Sequence, residues 1–147
     1  MKLSTRAQYG TRALLDLALH SSEGPVLLKD IAGRQQISLM YLGHLIPPLV
    51  AARIIRTIRG AHGGVTLARP PEEIKLSEVV RLLEGSIAPV ECVTAPRSCS
   101  RSGSCVTRDV WGELEKAMNN VLESITLQDL IERQKKKGAA AQAMYYI

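Results

Sequence analysis

The 147-residue chain contains no phenylalanine, one tryptophan and four tyrosines, so aromatic residues make up only 3% of it. Proteins that grip single-stranded nucleic acid by stacking its bases depend on exposed rings, and that class is disfavoured. Long hydrophobic runs are missing too. The longest uncharged stretch, residues 35–52, is interrupted by Gly43, His44, Pro47 and Pro48, whereas a bilayer span takes about 20 apolar residues. The opening Met1-Lys2-Leu3-Ser4-Thr5-Arg6 leads into no apolar segment with a small-residue cleavage site, so the expected location is the cytoplasm. Cysteine is scarce and odd in number, three in all, which disfavours a disulfide framework. A cysteine nucleophile needs a base beside it. Here His20, His44 and His62 all lie upstream of the thiols, with no glycine-rich nucleotide loop and no paired carboxylates to serve instead. An enzyme is not expected.

What is present is a soluble, globular balance: 46% hydrophobic and 22% charged residues, enough for one domain with an appended arm. Charge is unevenly divided. Residues 1–69 carry nine Lys and Arg against three acidic residues, while residues 70–147 carry ten against eleven. A half-chain with that basic excess marks an anion-binding face, and duplex phosphates are the fitting partner.

From Ser4 to Ser21, Ala7, Ala13, Leu14, Leu17 and Ala18 recur at helical spacing behind Ser4 or Thr5 as cap, and the Ser21–Pro25 run ends the helix. Residues 28–35 read as a short second helix burying Leu28, Ile31 and Ala32, and Ser38 caps a third. Two short helices across a tight turn form a helix-turn-helix. Pro47-Pro48 predicts that the third helix ends or kinks near Ile46, with Pro48 opening a new turn to about Arg53. Residues 53–59 and 65–69 flank Gly60-Ala61-His62-Gly63-Gly64 and read as a hairpin, with Ile54, Thr57 and Ile58 turned inward and Arg56 and Arg59 turned to solvent or a ligand. That hairpin makes the unit a winged helix. After Pro70-Pro71, a helix over 76–84 takes Ser77 as candidate cap and Gly85 as its stop.

Residues 86–106 lack periodicity. Beyond them Trp111, Leu114, Met118, Val121, Leu122 and Ile125 fall three and four apart, opposite Glu113, Glu115, Lys116 and Glu123, an amphipathic helix of about five turns. So short a chain offers little core to cover that stripe, which favours pairing with a second copy. Thr126-Leu127-Gln128-Asp129 resembles a cap for a last short helix ending near Gln134. The expected organisation is a winged-helix unit (1–85), a cysteine-bearing loop (86–106), a dimerisation helix with a short terminal helix (107–134) and a disordered tail (135–147). The fold class is mainly α with a small β-hairpin wing.

Cys92, Cys99 and Cys105 sit in a polar segment with Pro89, Pro96, four serines and Arg97, Arg101 and Arg108. Structural thiols belong on apolar faces, so three in one polar loop point to ligands for zinc, copper or an iron–sulfur cluster. A thiol redox switch and inert cysteines are the alternatives, since no pair has the spacing of a zinc knuckle. A fourth ligand could come from Glu91, Thr107, Asp109, another chain or a small molecule.

Several stretches together are similar to the IscR family of bacterial winged-helix regulators over roughly residues 1–134. They are Leu3-Ser4-Thr5, Tyr9-Gly10, Ala13–Ala18, Ile37–Leu42, Arg59–Gly64, the three cysteines, Val110-Trp111 and Ser124–Leu127. The resemblance implies a homodimer paired through the helix from about Thr107 to Leu122, and an iron–sulfur cluster, two-iron or four-iron, whose state alters binding to a double-stranded operator. It places Ser38, Met40, Tyr41, Gly43 and His44 on the recognition helix and Arg59 on the wing in the minor groove. Lys2, Ser4, Tyr41 and the arginines, Arg56 among them, are expected to hold phosphates. Two departures are notable: Gly43 stands where some members carry Glu, and Arg108 stands where the cluster regulator carries a His. Operator preference and cluster nuclearity are therefore not inherited from the resemblance.

Overall fold

Helix α1 (Thr5–His20) begins where the Ser4 hydroxyl accepts the Ala7 N–H, in a computed structural model that describes residues 1–145. Helix α2 (Leu28–Gln35) ends on Gln36 in the left-handed conformation. Ile37 N–H then bonds the Ala32 carbonyl at 3.0 Å, and Ser38 caps α3 (Leu39–Ala51) by accepting the Tyr41 N–H. This is the tight turn of a helix-turn-helix. Strands β1 (Ile55–Ile58) and β2 (Gly64–Leu67) pair antiparallel with Ile55 opposite Leu67. Val26, in the α1–α2 connection, pins the hairpin by exchanging both backbone bonds with Val65. A side chain at Gly64 (φ +155°) would strike the Val26 backbone, so only glycine fits there.

Leu14 and Leu17 of α1, Ile31 of α2, Leu42, Leu45 and Leu49 of α3, Ile54, Ile55 and Val65 of the hairpin, and Ile74, Val79 and Leu83 form one buried cluster. Val79 and Leu83 belong to α4 (Leu76–Glu84), and Ile74 lies two residues before it. Gly10 lets α1 and α4 close together, since a Cβ there would collide with Leu83.

Several expectations are corrected. Helix α3 does not end near Ile46 but runs through Pro47 and Pro48. Leu45 and Leu49, both 2% exposed, anchor it on either side of the prolines. The carbonyls left without an N–H partner belong to Gly43 and His44, which are exposed to solvent. The helix stops instead at a Schellman turn, with Arg53 at φ 57° and Ile54 N–H on the Leu49 carbonyl. In the hairpin Ile55, not Thr57 or Ile58, is buried beside Ile54, because the outer half of β1 extends past the core. Ser77 does not cap α4. It is buried inside the first turn, and its hydroxyl donates to Glu123 at 2.5 Å. Residues 86–106 are not wholly irregular: α5 (Glu91–Thr94) and a single turn at Pro96–Ser98 form there.

Helix α6 (Val106–Glu123) keeps every residue at least partly exposed. Its far end is fastened to the start of α4. Leu76 N–H bonds the Ile125 carbonyl and Leu127 N–H the Ile74 carbonyl, each at 2.8 Å. Glu123 also accepts from Lys75 at 2.6 Å; with Ser77, that bond holds its carboxyl below its ordinary value. Helix α7 (Leu127–Tyr145) opens on a capping box in which Thr126 and Asp129 each take the other's N–H. It continues past Gln134 to Tyr145 through exposed lysines and alanines, good helix formers, where a disordered tail was expected. Residues 146–147 of that tail lie outside the described residues.

Buried Asp16 locks α1 to α2. Its carboxylate accepts from Arg34 Nη2 at 2.6 Å, Arg34 Nε at 3.0 Å and Gln35 Nε2 at 2.9 Å. Burial works to raise its pKa, but the Arg34 and Gln35 hydrogen bonds and the Arg34 and His20 charges hold it below the ordinary carboxylate range. Arg34→Ala leaves that buried charge underpaired. The expected loss is about 2–3 kcal/mol at neutral pH, less than for a fully buried pair because the guanidinium is 37% exposed and screened. A depressed carboxylate stabilises the fold above its unfolded pKa, and that contribution fades as pH falls through the folded value. The gap between variant and wild type should therefore narrow below about pH 4 in urea titrations.

Candidate functional site

Helix α3 turns Leu42, Leu45 and Leu49 into the core and leaves Leu39 (51% exposed), Met40 (79%), Gly43 and His44 outward. Ser38 is exposed, but its hydroxyl accepts the Tyr41 N–H at 3.0 Å. The Tyr41 ring meets Tyr9 edge-on at 5.9 Å, and its hydroxyl lies 3.3 Å from Thr5 Oγ1. Arg12 stacks over Tyr9 at 5.5 Å and donates to the Gln35 side chain and carbonyl, a basic group at this face that sequence reasoning counted but did not single out. On the wing, Arg56 and Arg59 are exposed. The wing turns sharply at Gly60 (φ +111°), where the Gly63 N–H bonds the Gly60 carbonyl.

Lys2 and Ser4 are exposed at the entry to α1. Ser4 is already engaged: its hydroxyl donates to Glu84 Oε2 at 2.5 Å, and its N–H does so at 2.9 Å. Glu84 closes the end of α4, eighty residues away, and no local pattern could have revealed the contact.

The structure places all three thiols on the segment between α4 and α6 and leaves them free: Cys92 within α5, Cys99 after the Pro96–Ser98 turn, and Cys105 just before α6. Arg108 Nε donates to the Cys92 carbonyl at 2.9 Å, tying α5 to the first turn of α6. Ser102 closes the Cys99 loop by donating to the Pro96 and Cys99 carbonyls. Cys105 Sγ lies 3.1 Å from the Thr107 hydroxyl. That bond, with the Arg108 and Thr107 backbone N–H groups, holds its pKa below that of an ordinary thiol, against slight desolvation and the charge of Asp109. Among the described residues no group of three His, Cys, Asp or Glu side chains stands together in position to hold a metal ion. The donor set nevertheless fits an iron–sulfur cluster chemically: three reduced, accessible thiols with Arg97, Arg101 and Arg108 on the same segment to offset thiolate charge.

The stripe expected to form a dimer seam divides. Trp111 and Val121 are exposed, whereas Leu114, Met118, Leu122 and Ile125 are half-buried. Met118 lines a cavity of about 240 Å³ with Met1, Leu3 and Ile87, and Leu122 faces Val80 across a second. Among the described residues no helix is long and apolar enough to cross a membrane.

Residues 3–133 match the family model for Rrf2, described as an iron-dependent transcriptional regulator. Protein rrf2 of Nitratidesulfovibrio vulgaris is 51% identical over 131 residues, covering 89% of this chain and 87% of the relative. The HTH-type transcriptional regulator CymR of Bacillus subtilis is 36% identical over the whole of both chains. Its solved structure, that of a global cysteine regulator, aligns with a TM-score of 0.77 over 90% of this chain and 98% of that one. The structure of T. potens IscR aligns with a TM-score of 0.78 at 40% identity, over 93% and 90% of the two chains. The helix-turn-helix, its two-stranded wing and these relatives, regulators rather than enzymes, agree: the chain belongs to the Rrf2 family of transcriptional regulators.

Proposed function

We propose that this protein acts as a homodimer on a double-stranded operator and senses iron–sulfur status through Cys92, Cys99 and Cys105. In this reading α3 enters the major groove, and Arg59 on the wing enters the minor groove. Two copies pair along α6, covering Val106, Val110, Trp111 and Val121, which are otherwise exposed. One observation carries the sensing half: the three free thiols all lie on the segment that joins the winged-helix unit to α6. A bound cluster supplies a reversible, oxidant-sensitive tie among thiolates. Cys92, Cys99 and Cys105 would hold such a cluster, and the Arg108 bond to the Cys92 carbonyl would couple that segment to the first turn of α6 and so to the setting of the paired α3 helices.

The test is anaerobic purification with iron and sulfide analysis, followed by operator binding with loaded and stripped protein. Bound iron and labile sulfide are expected, with at least a tenfold difference in affinity between the two forms, a coupling of about 1.4 kcal/mol. Equal affinity with every thiol intact would sink the sensing half. A colourless protein with stoichiometric zinc would mark a structural site instead. A second reading, a metal-free thiol switch, is favoured by the Cys105–Thr107 contact that promotes the thiolate and by the similarity to CymR. It predicts a colourless protein whose operator affinity responds to peroxide.

A further inference from the structure

The outward face of α3 carries no carboxylate, lysine or arginine. From Leu39 to Ala51 the helix holds no Asp, Glu, Lys or Arg, although the half-chain around it carries nine basic residues. Met40, at 79% exposed, is its most open large apolar side chain, with Leu39 beside it at 51%. Gly43 and His44 follow Met40 by three and four residues and share its face. A Cβ at Gly43 would meet nothing within 4 Å, so no neighbouring side chain crowds Met40 from that position. The nearby hydroxyls are committed elsewhere, Ser38 to the helix cap and Tyr41 beside Thr5.

An exposed apolar side chain on a half-chain rich in basic groups suits a polyanion that presents its own apolar group. In the major groove that group is the C5 methyl of thymine, the one hydrophobic feature the base edges offer. A flexible thioether side chain adapts readily to such a contact. The neighbouring wing, with Arg56 and Arg59 exposed, supplies the charge that phosphates require. We propose that Met40 selects thymine by contact with its methyl group, so that this recognition helix chooses sequence by apolar contact where charged side chains would ordinarily read hydrogen bonds. The proposal rests on the duplex-binding reading of α3 given above.

The test uses the full chain. Duplexes are recovered from a random-sequence pool with the wild-type protein, and each enriched thymine is then replaced by uracil, which removes the methyl and nothing else. At one or more positions per half-site uracil should weaken wild-type binding about fourfold, the scale of one methyl-sized group leaving contact. Met40→Ala and Met40→Gln should bind thymine and uracil duplexes equally, with thermal midpoints like that of wild type because the side chain is exposed. If uracil weakens wild type and variants alike, or weakens neither, the thymine proposal is overturned while enrichment of a defined sequence upholds duplex binding. If no duplex is bound at all, the reading of α3 falls and the proposal with it.

Discussion

Exchange of Leu42 for alanine is expected to lower the unfolding free energy by about 2–5 kcal/mol, the cost of a cavity under a fully buried side chain. Leu42 is 0% exposed and lies on the inner face of α3 with Leu45 and Leu49, in one cluster with Ile31 and Ile54. For a domain whose whole stability is about 5–15 kcal/mol, that is a large fraction. Urea titration should show a lower midpoint with an unchanged slope. The same exchange at Met40, two residues earlier and on the opposite face, should leave the midpoint where it is. A loss below about 1 kcal/mol for Leu42→Ala would mean that α3 is not anchored through this face.

Arg59→Ala should weaken binding to an enriched duplex by roughly tenfold or more if the wing enters a narrow minor groove, whose negative potential attracts a guanidinium. The loss should be greatest for A·T-rich flanks. Arg56→Ala should act differently. A phosphate contact carries no sequence information, so it should weaken all duplexes alike and reduce the slope of affinity against salt by about one unit. Fluorescence anisotropy across a potassium chloride series separates the two. Binding that is insensitive to salt would overturn the reading of residues 1–69 as an anion-binding face.

Much of the winged helix was legible because its signals are local. Ser4 and Ser38 cap their helices as the pattern implied, α2 spans residues 28–35, and the glycine-rich turn separates two strands. The failures were non-local. A proline pair is a sound local reason to end a helix, but Leu45 and Leu49 overrule it from the core. Ser77 has the composition of a cap, yet its partner, Glu123, is forty-six residues on. At the candidate site Met40, His44, Arg56 and Arg59 are outward, the first two where the resemblance put them and the arginines where the hairpin reading did, while the bonds of Ser4 to Glu84 and of Tyr41 to Thr5 are ones that only the fold discloses. The thiols share one segment, as their spacing implied, without converging.

The fastening of residues 74–76 to 125–127 makes α4, the thiol segment and α6 a closed ring rather than a chain with a loose arm. Two sides of such a ring are stiff rods of fixed length, joined at one corner. If the cysteines are drawn together as proposed, contraction of the third side would be passed to the angle between those two rods.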